Sequence, residues 1–195
     1  MLQLRAKGLP SGALLDVCDA LVALVHESSA ILIVNDRLDV ARMSGAHGVH
    51  VGQEDLPPAA ARNQLGPEAV VGFSTHSVAQ VEAALHEPVS YIAVGPVFGT
   101  STKDTGYSAV GLDLVSTAST LSRLPIVVIG GVTLANAPSA LAAGASAVAV
   151  ISDLLVGGRP DERVKQFLRA LERTEGTEGT GFTGGTKQRR RPDVI

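Results

Sequence analysis

Residues 31–55 read ILIVNDRLDVARMSGAHGVHVGQED. An unbroken apolar run ends in Asn35 and Asp36, and a short segment with helical spacing follows. A second run, GVHV, then ends in a polar stretch closing on Glu54 and Asp55. Runs that are apolar at successive positions, rather than at alternate ones, belong to strands covered on both faces, as in parallel sheets. Strand, helix and strand in this order make one parallel crossover, with polar residues at the carboxyl ends of both strands.

The same unit recurs along the chain. The pattern predicts strands over residues 2–5, 30–35, 49–51, 70–73, 91–94, 126–129 and 147–150. It predicts helices over 11–26, 37–43, 57–64, 77–85, 111–121, 134–143 and 160–173. Pro57 and Pro160 suit first helical turns, where no amide hydrogen is needed. Seven units of roughly 25 residues match the repeat of a (β/α)8 TIM barrel. The expected fold is therefore an α/β barrel over residues 1–173, lacking its first β–α unit, with an open doubly wound sheet as the alternative. The missing unit belongs upstream of the first strand, or another segment fills its place. Residues 174–195 are mostly Gly, Thr and Glu with the basic cluster KQRRR, and are expected to form a disordered tail.

Composition narrows the function. The chain of 195 residues is 45% hydrophobic but only 3% aromatic, and its net charge is −3. The core is therefore aliphatic, and general nucleic-acid binding is disfavoured. No apolar run has the roughly 18–20 residues of a membrane span, and no secretory signal is evident, so a cytoplasmic protein is expected. Cys18 is the single cysteine, placed on an apolar helical stretch as an inert core thiol. No His–Cys metal spacing or nucleophile elbow supports zinc chemistry or serine hydrolysis.

The strand ends hold the chemistry. Asp36 and Asp55 each stand just past a strand, placed to share a hard cation such as Mg2+ with phosphate oxygens and waters. Asp36 could instead cap the next helix, and Asp39 and Glu54 compete on spacing alone. Arg5 and Lys7, two residues apart, fall on one side of an extended segment, and Lys103 lies in a long loop. These cations suit phosphate groups. Thr100, Ser101, Thr102 and Lys103 form a hydroxyl-rich loop flanked by Gly99 and Gly106, a candidate lid. Gly130–Gly131, with Ile151 and Ser152 at the last strand end, fit a backbone phosphate site of the kind found at strands seven and eight of such barrels. His50 and His76 read as structural or peripheral.

Taken in order, QLRAK (3–7), IVNDRLDVA (33–41), GVHVGQEDLP (48–57), VGFSTHS (71–77), VGPVFGTSTK (94–103), VIGGVT (128–133) and AVAVIS (147–152) resemble the thiamine-phosphate synthase family. That resemblance implies a transferase joining hydroxymethylpyrimidine diphosphate to thiazole phosphate, with release of pyrophosphate from a dissociating pyrimidine cation. It implies that Gln3, Arg5, Lys7 and Asn35 hold the pyrimidine diphosphate, with Ser74 and Lys103 on its phosphates. Asp36 and Asp55 become Mg2+ ligands. Thr100, Thr102, Gly131, Ile151 and Ser152 contact the thiazole phosphate, and Arg5, Ser74 and Lys103 stand nearest the chemistry. Ala6 replaces a Glu common in the family. The rivals are a barrel that only binds thiazole phosphate or a partner, and the related thiazole tautomerase. Asp36, Asp55 and Pro96 argue against the latter, which needs no metal and expects a His at the Pro96 position.

Overall fold

A computed structural model describes residues 1–99, 107–175 and 193–194. The chain forms a curled parallel α/β sheet with strands in sequence order. These are β1 (Leu2–Leu4), β2 (Leu32–Asn35), β3 (Gly48–Val51), β4 (Val70–Thr75), β5 (Tyr91–Val94), β6 (Ile126–Val128) and β7 (Ala147–Val148). A two-residue strand, β8 (Asp193–Val194), lies parallel beside β7. No pairing between β8 and β1 occurs among the described residues, so the observed sheet is an open curl.

From β1 to β7 each connection contains a helix, the usual crossover between parallel strands. The helices are α1 (Ser11–His26), α2 (Leu38–Ser44), α3 (Pro58–Leu65), α4 (Val78–Ala84), α5 (Gly111–Leu121), α6 (Ala137–Ala142) and α7 (Pro160–Glu175). The expected order is borne out, while several bounds shift. The strand expected over 147–150 closes at Val148, and a 3-10 segment, Ser152–Gly158, precedes α7. Asp153 explains that extra element. It accepts from Arg163 at 2.8 Å and from the Leu134 amide at 3.0 Å, so local ion pairing holds the turn. The disordered tail expected over 174–195 falls mostly on residues outside those described.

Strand parity divides the apolar residues into two layers. Leu32, Val34, Val49, Val51, Val71, Ile92, Val94, Ile126, Val128 and Val148 pack against Leu14, Cys18, Val81, Val115, Phe167 and Leu171 of the helices. The alternate positions form a separate cluster of Ile33, Tyr91, Ala93, Val127 and Ala147, to which no helix contributes. Cys18 is fully buried on the helix side, and its thiol pKa is raised by burial. Small residues keep the second face open for polar groups. Gly48 is one: a Cβ there would stand 1.8 Å from the Val70 carbonyl oxygen.

Candidate active site

All the strands run parallel, so their carboxyl ends gather at one rim. There Lys7, Asp36 and Asp55 meet. Lys7 Nζ lies 2.9 Å from Asp36 Oδ2, with side-chain exposures of 57% and 19%. Asp36 is the only non-glycine described residue with positive φ, at 63°. It makes no side-chain cap on α2, whose N-cap is Arg37, so the capping alternative is not the one the fold uses. Its amide donates to the His50 carbonyl at 2.8 Å, tying the end of β2 to β3. Asp39 pairs with Arg37 at 2.6 Å, which holds its carboxyl below the usual range and removes it from the site.

Asp55 sits in a tight turn after β3, where Gly52 donates its amide to Oδ2 at 2.8 Å. Burial raises the Asp55 pKa, the Gly52 bond opposes that, and a side-chain hydrogen bond with Asp36 raises it further. Two carboxyl groups in contact need a proton or a cation between them. Among the described residues no group of three or more His, Cys, Asp or Glu is placed to hold a metal ion by itself. Paired carboxylate oxygens are the donor type that a hard cation such as Mg2+ takes, with waters and phosphate oxygens completing its shell. A cleft of about 180 Å3 lined by Leu4, Lys7, Leu9, Asn35, Asp36 and Arg37 opens beside this cluster. A larger cleft of about 500 Å3 borders Arg42, His47 and Glu68 at the opposite, amino-terminal rim and contains none of the candidate residues. The chemistry of the side chains, rather than cavity size, locates the site.

The second feature is a buried polar line across the helix-free face. Tyr91 Oη lies 2.8 Å from His50 Nδ1, and His50 Nε2 lies 2.8 Å from Ser74 Oγ. Burial raises the Tyr91 pKa, and the nearby Gln3 side chain partly offsets that rise. Gln53 reaches over β4 to donate to the Ser74 carbonyl at 2.6 Å. Gln3 and Ser74, expected at one site, are thus joined through two residues that the motif reading left out of it. Asn35 is buried at the end of β2.

The β5 and β6 ends form a third cluster. Gly130 and Gly131 have φ of 83° and 67°. A Cβ on Gly131 would come within 2.5 Å of the Gly99 carbonyl oxygen, so only glycine permits this crossing. Phe98 donates its amide to the Gly130 carbonyl at 3.1 Å, stitching the two loops together. Ile151 and Ser152 follow β7 and are exposed, at the start of the 3-10 segment. Arg5 follows β1 and is half-buried. Thr100, Thr102 and Lys103 lie outside the described residues. His76 stacks on Tyr107 with ring centroids 3.9 Å apart and contacts the Gly95 carbonyl, beside the loop between β5 and α5.

Comparison with known proteins places the chain. The family described as thiamine monophosphate synthase matches residues 1–154. A thiamine-phosphate synthase of Koribacter versatilis is 47% identical over 72% of this chain and 65% of its own length, so the chain spans just under two thirds of that relative. One from Chlorobium luteolum is 37% identical over 89% of this chain and 82% of its own. The solved thiamine phosphate pyrophosphorylase of Pyrococcus furiosus superposes with a TM-score of 0.82 at 28% identity, over 89% of this chain and 83% of the other.

Proposed function

The chain belongs to the thiamine monophosphate synthase family, and we propose that it joins hydroxymethylpyrimidine diphosphate to thiazole phosphate, yielding thiamine phosphate and pyrophosphate. The observation that carries this reading is the meeting of Lys7, Asp36 and Asp55 at the carboxyl ends of the first three strands. A cationic side chain and paired carboxylates there supply the parts needed to hold a diphosphate. This reading also calls for a (β/α)8 barrel architecture and for a cytoplasmic setting. Among the described residues no helix is long and apolar enough to cross a membrane.

The reaction breaks the C–O bond between the pyrimidine methylene and the diphosphate, which leaves with the electron pair. The thiazole nitrogen supplies the pair for the new C–N bond, so no protein nucleophile is required. Mg2+ held by Asp36 and Asp55 would neutralise charge on the departing pyrophosphate. Arg5 and Lys7 bind its outer oxygens, and the Ser74 hydroxyl donates to it. Gln3 and Asn35 orient the pyrimidine. Motif likeness assigns Lys103 to the leaving group and Thr100 and Thr102 to the thiazole phosphate. The Gly131 turn, Ile151 and Ser152 complete that second phosphate site. Holding two substrates in line supplies most of the rate advantage, and exclusion of water protects the cation.

Assay of the purified chain with both substrates, with and without Mg2+, tests the reading. Magnesium-dependent thiamine phosphate is expected. Binding of thiazole phosphate without turnover would instead support the binding-only barrel.

A further inference from the structure

We propose that His50 and Tyr91 are positioning residues that fix the Ser74 hydroxyl as a hydrogen-bond donor toward the rim of the sheet. The proposal rests on the reading that Ser74 faces the diphosphate.

His50, Ser74 and Tyr91 are all buried, and each imidazole nitrogen has an oxygen 2.8 Å away. A neutral imidazole donates through one nitrogen and accepts through the other, so the line must run in one direction. A phenol is a strong donor and a poor acceptor, while an unprotonated imidazole nitrogen is a strong acceptor. Tyr91 therefore donates to Nδ1, and the Nε2 proton is donated to Ser74 Oγ. With its oxygen already accepting from His50, the Ser74 hydroxyl proton is left to donate elsewhere. An anionic phosphate oxygen needs a donor of that kind. The reverse direction would consume the Ser74 proton on Nε2 and present only lone pairs to the anion.

The strands are built for this line. The Tyr91 and His50 rings stack at 5.6 Å between centroids with 24° between planes. Gly72, between them on β4, leaves the space: a Cβ there would stand 2.3 Å from Tyr91 Oη and 2.5 Å from His50 Nδ1. Gly72 pairs in register with both residues, His50 on β3 and Tyr91 on β5. His50 and Tyr91 thus share one level of the sheet across Gly72, and Ser74 stands two residues further along β4 toward the carboxyl end.

Two measurements test it. Histidine 15N NMR of the full chain, with His50 assigned through His50→Gln, should show a neutral Nε2–H tautomer with Nδ1 as acceptor. A Nδ1–H tautomer would overturn the proposal whether or not the chain is active. Steady-state kinetics are the second arm. Tyr91→Phe should lower kcat about tenfold, the size of one lost hydrogen bond, with the KM for thiazole phosphate unchanged. His50→Leu should lower kcat further. His50→Gln, whose amide can both accept from Tyr91 and donate to Ser74, should return kcat to within about threefold of wild type. Wild-type kcat in folded Tyr91→Phe and His50→Leu proteins would overturn the proposal. Absence of product from the wild type would instead overturn the synthase reading, leaving the tautomer measurement to decide the polarity of the line.

Discussion

Asp55 is held in an unfavourable state for a lone carboxylate. Burial and the adjacent Asp36 raise its pKa, so the folded state keeps its proton to higher pH than the unfolded chain does. Without divalent cation, stability should therefore fall as pH rises from the unfolded Asp value of about 4. Asp55→Asn should melt higher than wild type at neutral pH without Mg2+, yet lose magnesium-dependent turnover by at least about 100-fold. Thiazole-phosphate affinity should stay nearly intact. A variant that keeps wild-type turnover would remove Asp55 from the metal site. Tyr91 has a raised pKa, chiefly through burial. Its contribution is fully present below the unfolded Tyr value of about 10 and is lost as pH rises above it. Melting scans from neutral to alkaline pH should show that added decline in wild type and lack it in Tyr91→Phe. The carboxylates were legible in the sequence because each ends an apolar run. His50 was not, because all four residues of β3 are buried and its partners come from 24 and 41 residues away.

The loops and turns between strands set the tolerance to substitution. Gly131→Ala combines positive φ with a 2.5 Å approach to the Gly99 carbonyl oxygen. It should cost about 1–2 kcal/mol in a denaturant titration and raise the KM for thiazole phosphate more than it lowers kcat. Arg62 on α3 acts at the other rim. Its guanidinium donates to the carbonyls of Gly66, Pro67, Ala69 and Pro88 and to Ser90 Oγ, pinning the approaches to β4 and β5. Arg62→Lys should lose about 1–3 kcal/mol, since a point charge cannot reproduce the planar fork, while kcat per folded molecule stays unchanged. Equal stability of Arg62→Lys and wild type would show that the clamp is dispensable. Paired glycines mark the β6 turn in the sequence. The Arg62 clamp has no such mark, because its acceptors are backbone carbonyls that any sequence possesses.

For the whole molecule, repeated strand–helix spacing made the parallel order readable, because each buried strand appears as a short aliphatic run. Which residues face which layer was less readable. Both faces of the sheet are covered or enclosed, so hydrophobicity does not alternate, and register decides the side. The last strand was also beyond spacing: β8 is only two residues long and carries no apolar run to announce it. The central claim is that this sheet aligns two phosphorylated substrates around paired carboxylates. Its most direct test is thiamine-phosphate formation by the purified chain, titrated with Mg2+ in wild type and Asp55→Asn. Product should rise with Mg2+ in wild type and be nearly absent in the variant. Product that is independent of Mg2+, or equal in the two proteins, would contradict that claim.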